Sequence, residues 1–495
     1  MAETLSNMQE LTGKLEAIVD STRIFTDADF LDTYSTDTSY GKPKRPDVVV
    51  KVLSTEEVRK IVTLANEYCL PVVPRSSAIG FYEAAIPEQG GIVVDMSDMK
   101  KVLRIDTRNK WAMFQAGTTY GELQAALAKV GFRALNPLLP HKDKSVVTST
   151  LEREPKLTPK HHLDETILTM EMVMPNGELF HTGSMAVSMG PPEKVPDDTH
   201  CDLCNAMGPG LDWYRLVPGS LGTYGIVTTM NVKIAPLPAQ RKLLFFGFDS
   251  LQDSVEPTYH ILRKLIGDEC FLMNSRCLAT ILADTPEDIG PVSEALPAYT
   301  LILNLAAGEW YPEDKMAYQE NAIKDISRTF LLKPMETIPN VADAETKLSE
   351  MLYSPWQGDT YWKFRARGAS KEVFFLTQLQ RAPEFEDIVN YVASENDVPI
   401  SEIGVYLQPK QNGRAFHMEV SFPFDPEDAD DKAKAEAVFS ETSEALVGNG
   451  AFFYRIYGEW ADMVYSRTGN LHETLKRIKR QLDPNKVLNP GKLNF

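Results

Sequence analysis

Over the first 240 or so residues the apolar positions come as short β-branched runs broken by polar turns, with amphipathic stretches between them. Residues 4–21 carry apolar side chains at helical spacing and predict one surface helix. An irregular lead-in, FTDADFLDTYSTDTSYGKPKRPDVVV, ends in a strand around Val48–Val52. The helix TEEVRKIVTLANEYC, with Thr55 as N-cap, comes next. It precedes the stretch that organises the chain, Leu70 to Asp95. Here a strand at Val72-Val73 stops at Pro74-Arg75 and gives way to the small residues Ser76, Ser77, Ala78 and Gly80; a second strand returns over Gly91–Asp95. Small residues at such a turn let backbone N–H groups approach a ligand closely, as a pyrophosphate cradle requires.

Further on, Lys101–Ile105 and Trp111–Ala116 predict two strands joined at Asp106–Asn109. Thr118 is placed as the cap of a helix, TTYGELQAALAKVG, that stops at Gly131. Alternation at Ile167, Thr169, Glu171 and Val173, then Pro175-Asn176-Gly177 and Glu178–Thr182, predicts a hairpin. The polar, Pro- and His-rich segment before it predicts a long functional loop. A Pro/Gly/Asp-rich insertion follows at 187–212, and Gly219, Gly222 and Gly225 punctuate a turn that feeds another strand. From Arg241 the pattern changes to strand and long helix, with a polar linker expected near 383–400. The chain ends in an amphipathic helix and a Pro/Asn/Gly-rich tail. These patterns predict an α+β fold with an antiparallel second region.

Composition narrows the function classes. At 495 residues two or three domains are expected. A 43% hydrophobic and 24% charged chain leaves no case for disorder, and a net charge of −18 argues against nucleic acid or an anionic membrane as partner. Five cysteines, few and odd in number, fit a reducing cytosol, and the acidic N-terminal helix is not a signal peptide. A cytoplasmic protein without direct membrane insertion is expected. HCDLC at 200–204 has a single CxxC and no second pair, which argues against zinc. TYWKFRARG at 360–368, basic and aromatic in an acidic chain, reads as a solvated strand face, part of a substrate mouth or a docking patch.

Taken together, PVVPRSSAIGFYEAAIP, GGIVVDMSDMKKVLRID, FQAGTTYGELQAAL, SVVTSTLEREPKLTPKHH, MEMVMPNGELFHTGS, GSLGTYGIVT and the tail LDPNKVLNPGKLNF resemble one family in its own order. It is the vanillyl-alcohol oxidase/p-cresol methylhydroxylase superfamily, which includes glycolate-oxidase D-subunit-like and D-lactate dehydrogenase-like proteins. The resemblance implies a two-lobed FAD-binding domain over 1–238, an antiparallel-sheet-plus-helices substrate (cap) domain over 239–445, and a segment, 446–495, returning to the FAD domain. Pro74, Arg75, Ser76, Ser77, Ala78, Ile79, Gly80 and Phe81 would meet the pyrophosphate. Gly117, Thr118, Ser145, Thr148, Ser149, Gly222 and Ile226 would line the rest of the dinucleotide. One departure is chemical: Tyr82-Glu83 stands where the family usually has Gly-Gly. A carboxylate there repels a pyrophosphate unless Glu83 points away or pairs with a cation such as Arg75.

The hydroxy-acid branch usually carries a metal-binding His pair and a later Glu-His pair. Here the first site keeps His417 with Lys410 and Gln411, and the second keeps Glu459 with Trp460, so no metal is expected. The other branch fits LEREPKLTPKHH and GAFFYRIYGEW. Transferred, Tyr454 and Arg455 would hold an anionic oxygen, with Phe81 or Tyr82 as aromatic neighbour. A phenolate pushes electron density toward the carbon that loses hydride to flavin N5. The favoured substrate is therefore an aromatic alcohol or para-substituted phenol. The alternative is a D-2-hydroxy acid, its carboxylate on Arg455 and its hydroxyl on His417 as base. Arg455 as a structural ion-pair partner and His417 as a core imidazole are the bland readings. Reoxidation would fall to oxygen, a cytochrome, or an iron–sulfur or electron-transfer subunit, and the chain is a possible homo-oligomer. A flavin-free, non-catalytic scaffold is the alternative from outside the enzymes.

Overall fold

The β-branched run at 48–50 is buried on both faces, and that is what a small parallel sheet needs. Strands β1 (Ile24–Phe25), β2 (Val48–Lys51), β3 (Val72–Arg75) and β4 (Ile92–Asp95) lie in the order β1-β2-β4-β3. β2, β4 and β3 are parallel, and β1 closes one edge antiparallel. Val48, Val50, Val72 and Val94 pack on Val58, Ile61, Val62 and Ala65 of the helix Thr55–Tyr68, while Val49, Val73 and Val93 meet Leu31 and Tyr34 on the other side. The computed structural model describes residues 2–187, 203–210, 212–339 and 341–495. Most of the 187–212 insertion, with His200 and Cys201 of HCDLC, lies outside them.

The second sheet is antiparallel: β5 (Val102–Asp106), β6 (Trp111–Gln115), β7 (Phe132–Ala134), β8 (Ile167–Val173), β9 (Leu179–His181) and β10 (Ile226–Pro236). Its order is β5-β6-β10-β8-β9, with β7 paired to β10. The expected hairpin is β8 and β9, closed by the Met174 N–H on the Glu178 carbonyl at 2.8 Å. Two caps fall one residue from expectation. Ser54, in an extended conformation, receives the Glu57 N–H, and Thr55 instead donates to Glu171 at 2.8 Å. Thr119 forms a capping box with Glu122, leaving Thr118 buried beneath.

The third sheet, also antiparallel, joins β11 (Gln240–Phe248), β12 (Glu269–Asn274), β13 (Tyr299–Ala307), β14 (Ala369–Thr377), β15 (Gly404–Lys410) and β16 (Ala415–Phe424) in the order β11-β13-β12-β15-β16-β14. Side chains alternate along a strand. Val373, Phe375, Val405, Leu407, Met418 and Val420 therefore share one apolar face, packed in the same core as Phe385, Val389, Val438 and Leu446. Glu372, Phe374, Tyr406, Gln408, Lys410, His417 and Glu419 share the other, which meets the first part of the chain: Gln408 donates to the Leu157 carbonyl and Lys410 to that of Lys156. The linker expected near 383–400 is corrected. It is mostly the helix Ala382–Glu395, whose Phe385, Val389, Val392 and Ala393 are buried; the polar residues form its outer face.

The tail returns to the first sheet. Val72 donates to Val487 at 2.7 Å and accepts from the Asn489 N–H at 2.9 Å, so residues 487–489 cover the open edge of β3.

Candidate active site

The turn after β3 is held from outside and left open within. Arg75 stacks on Tyr34, 4.3 Å from its ring, and donates to the Ser77 and Ala78 carbonyls. Ser77 Oγ accepts the Ser145 N–H at 3.1 Å, Ser76 Oγ meets Thr148 Oγ1, and the Gly80 carbonyl accepts the Thr38 N–H at 2.9 Å. None of the backbone N–H groups from Ser77 to Tyr82 donates to a backbone carbonyl. Such a run of unspent donors binds an anion. It borders a cleft whose other wall is the Ser220–Gly222 turn and the start of β10. Gly222 has φ +76°, and a Cβ there would meet Pro74 Cγ at 2.6 Å, so only glycine lets the two walls approach this closely. Asn489 ties the walls together, donating to the Ala84 carbonyl at 2.8 Å and the Leu221 carbonyl at 2.7 Å.

Of the residues expected around the dinucleotide, Pro74, Arg75, Ser76, Ser77, Ile79, Gly80, Thr148, Gly222 and Ile226 line this cleft. Ala78 is not among its lining residues. Gly117, Thr118, Ser145 and Ser149 lie beneath: a Cβ on Gly117 would strike the Met96 and Ser97 carbonyls, Ser145 caps the helix Val146–Leu151, and Ser149 donates to Glu154. Phe81 turns away to pack on Tyr361, 5.4 Å between rings, below the Lys144 ammonium. Glu83 does not pair with Arg75. It faces Gly41 and Gly458 on the far side of the turn, and its surrounding cations are Lys492 and Lys371. Burial pushes its carboxyl above the usual range.

A second, small cavity lies where the charged face of the third sheet meets Tyr82 and Lys144. Its walls are Tyr82, Leu138, Tyr361, Trp362 and Tyr406, with Lys144, Glu154, Lys363, Glu419 and Arg455 among them. Arg455 is 4% exposed and sandwiched between Tyr82 and Phe374, 4.1 and 4.3 Å from their rings. Its nearest carboxylate oxygen is Glu154 Oε1 at 3.9 Å, and its Nε and Nη2 have no hydrogen-bond partner. Burial works against its charge, but Tyr82, Tyr454 and Glu154 outweigh it and hold the guanidinium ionised. Glu154 is also buried, yet Lys144 and Arg455 hold it down at about 2. Lys144 bridges Glu152 and Glu154, each at 2.7 Å.

Tyr454 and His417 come together, the hydroxyl 3.0 Å from Nδ1, and His417 Nε2 is 3.4 Å from Glu419. Burial pushes His417 down to about 4, against the pull of Glu419, so the imidazole is neutral at pH 7. Among the described residues no three His, Cys, Asp or Glu side chains gather as a metal site requires. Glu459 is the site residue that geometry removes. It is exposed at the start of the helix Trp460–Tyr465 and accepts from Ser440; Trp460 takes the inward position, 4.7 Å from the Phe453 ring.

The sequence reading missed Lys144, Glu152, Glu154, Lys363 and Glu419. The 360–368 segment was open to being a substrate mouth, and its Tyr361, Trp362 and Lys363 do form a wall. His417 and Glu419 stand two apart on a strand, a spacing that puts both on one face.

A family model described as "FAD binding domain" matches residues 46–183, and one described as "FAD linked oxidases, C-terminal domain" matches 415–493. Glycolate oxidase subunit GlcD of Bacillus subtilis is 23% identical over 93% of this chain and 91% of its own length. The 4-cresol dehydrogenase [hydroxylating] flavoprotein subunit of Pseudomonas putida is 21% identical over 90% and 87%. The crystal structure of p-cresol methylhydroxylase with substrate bound superposes with a TM-score of 0.85 at 18% identity, covering 99% of this chain and 97% of that one. The chain therefore carries an FAD-binding domain and an FAD-linked oxidase C-terminal domain, and it has the fold of p-cresol methylhydroxylase.

FAD fits the residues present: the turn Ser77–Tyr82, with its unspent N–H groups, and a glycine-limited approach border the cleft, and the one suspect carboxylate, Glu83, points elsewhere. Asn489→Ala removes two hydrogen bonds between the walls. Each is worth about 1 kcal/mol, so the Kd for FAD is expected to rise by up to roughly thirtyfold. Titrating the stripped chain with FAD, and following flavin fluorescence, measures it.

His417 sets a pH dependence. The unfolded chain protonates it near 6.5 and the folded chain only near 4. Between those values the unfolded state binds the extra proton, so stability falls as pH drops through this window, by roughly 3 kcal/mol in all. His417→Gln is expected to flatten that part of the stability profile in urea titrations.

Proposed function

We propose that this chain oxidises a small aromatic alcohol or para-substituted phenol, held as its oxyanion by Arg455 and Tyr454. The observation that carries the reading is the fully buried Arg455, stacked between two rings and with two N–H-bearing nitrogens unspent. A buried cation whose hydrogen bonds are unmade favours an anion that supplies them. The aromatic walls, Tyr82, Tyr361, Trp362 and Tyr406, suit a flat ring. When bound, FAD supplies the hydride acceptor. The protein's part is to stabilise the phenolate, orient the ring and keep water out; the phenolic proton passes to Tyr454, whose own proton is within reach of neutral His417. Electrons then leave to a separate acceptor, as the "subunit" in the names of both relatives suggests. The proposed division of labour is FAD binding by 1–238 with 446–495, and substrate binding by 239–445.

A phenol that cannot be oxidised tests the reading. Added below its solution pKa to the FAD-loaded chain, para-nitrophenol is expected to show the phenolate absorbance on binding, and to lose it in Arg455→Met. Binding only as the neutral phenol would overturn the assignment. A second reading, D-2-hydroxy-acid oxidation, draws on the neutral His417 beside Tyr454 and on relatives named for glycolate and D-lactate. There Arg455 would hold the carboxylate and His417 take the hydroxyl proton.

A further inference from the structure

The cofactor cleft and the substrate cavity meet at one ammonium. Glu152 lines the cleft, whereas Lys144 and Glu154 line the cavity, and Lys144 Nζ bonds a carboxylate oxygen of each glutamate at 2.7 Å. Lys144 is fully buried, with the Phe81 and Tyr82 rings 4.6 and 5.1 Å from its nitrogen. Among the described residues no third acceptor bonds it, so one N–H is unspent. The two carboxylates do not cancel its charge alike. Glu154 is held down at about 2, so the cavity side carries a full negative charge. Burial, with Glu154 nearby, pushes Glu152 up, so the cleft side has the carboxyl that takes a proton more readily. The charge of Lys144 is therefore less fully cancelled toward the cleft than toward the cavity. The other charged residues lining the cleft, Asp37 and Arg75, stand beside the turn after β3.

We infer that Lys144 sets the electron affinity of bound FAD, its buried ammonium making the flavin easier to reduce. The inference rests on FAD in the cleft and holds for either substrate class. Oxidation breaks a C–H bond of the substrate. Both electrons of that bond travel with the hydrogen to the flavin, which gains one negative charge. The substrate carbon must touch the cofactor for this transfer, so the accepting end of FAD belongs where the cleft faces the cavity. Lys144 stands there. A fixed cation in a water-poor site stabilises the added charge without having to reorganise. Glu154 anchors the ammonium from the cavity side, and Glu152 opposes it by drawing part of its field away from the cleft.

The reduction potential of the FAD-loaded chain tests this. It is read as the ratio of reduced to oxidised flavin at equilibrium with a two-electron reference dye, at one pH and one dye ratio. Lys144→Met is expected to lower the flavin ratio at least about tenfold, a shift of about 30 mV for two electrons. Lys144→Arg keeps the charge and should recover most of that loss. Glu152→Gln removes the opposing carboxylate and should raise the ratio above the wild type. If Lys144→Met does not fold, Glu152→Gln decides alone. A smaller drop in Lys144→Met, no recovery in Lys144→Arg, or a Glu152→Gln ratio at or below the wild type overturns the assignment. None of these outcomes depends on which substrate the chain oxidises, so the phenol reading stands or falls separately.

Discussion

Arg455→Met lowers kcat/KM for a phenolic substrate by roughly 10²–10³-fold while FAD content stays at the wild-type level. The size follows from what the guanidinium does. Deleting one donor to a buried oxyanion costs about 2.7–4 kcal/mol in transition-state stabilisation, and Arg455 brings two unspent nitrogens into a cavity walled by aromatic rings. Methionine keeps the stem packed between Tyr82 and Phe374, so the change reports charge and donors more than volume. FAD content is expected to hold because Arg455 does not line the cleft at the 74–80 turn. Steady-state kinetics with the flavin ratio measured in the same preparation checks both halves.

The second large effect is on stability. Lys144 is 1% exposed and holds two buried carboxylates at 2.7 Å. Lys144→Met leaves Glu152 and Glu154 without their direct ion pair, with Arg455, 3.9 Å from Glu154, and the more distant Lys156 as the cations still acting on Glu154. Removing one partner from a buried ionic cluster costs about 3–5 kcal/mol, because the group left behind stays charged without solvent. A drop of that size in urea unfolding is expected. Adding Glu154→Gln to Lys144→Met should recover part of the loss, since the orphaned charge goes with it. A double variant no more stable than the single would place the cost in packing instead.

Legibility in the sequence followed physical range. The organising turn could be read because its chemistry is local: a strand that stops at Pro74, small residues after it, and a strand that returns at Ile92. The hairpin at Asn176-Gly177 was local in the same way. Errors came where a decision depended on tertiary contacts. Thr55 was taken as a cap because it opens the helix, but Glu171, 116 residues away in sequence, claims its hydroxyl. The helix Ala382–Glu395 looked like a linker because its polar face dominates the composition; its apolar stripe is visible only against the sheet it covers. The ionic cluster was missed for a related reason. Lys144, Glu154, Lys363 and Glu419 come from three distant segments, and although each segment was singled out or left open as part of a site, nothing local pairs their charges with one another. Glu459 and Trp460 show the reverse case, a motif position whose carboxylate faces outward while the tryptophan fills the core.

The measurement that bears most directly on the account is anaerobic mixing of the FAD-loaded chain with a matched panel of para-substituted phenols, aromatic alcohols, D-lactate and glycolate. The visible flavin band reports reduction. Bleaching by para-hydroxylated aromatic substrates, with the hydroxy acids leaving the band intact, is the predicted result. Bleaching by D-lactate or glycolate, with phenols inert, would contradict it and move Arg455 from a phenolate to a carboxylate.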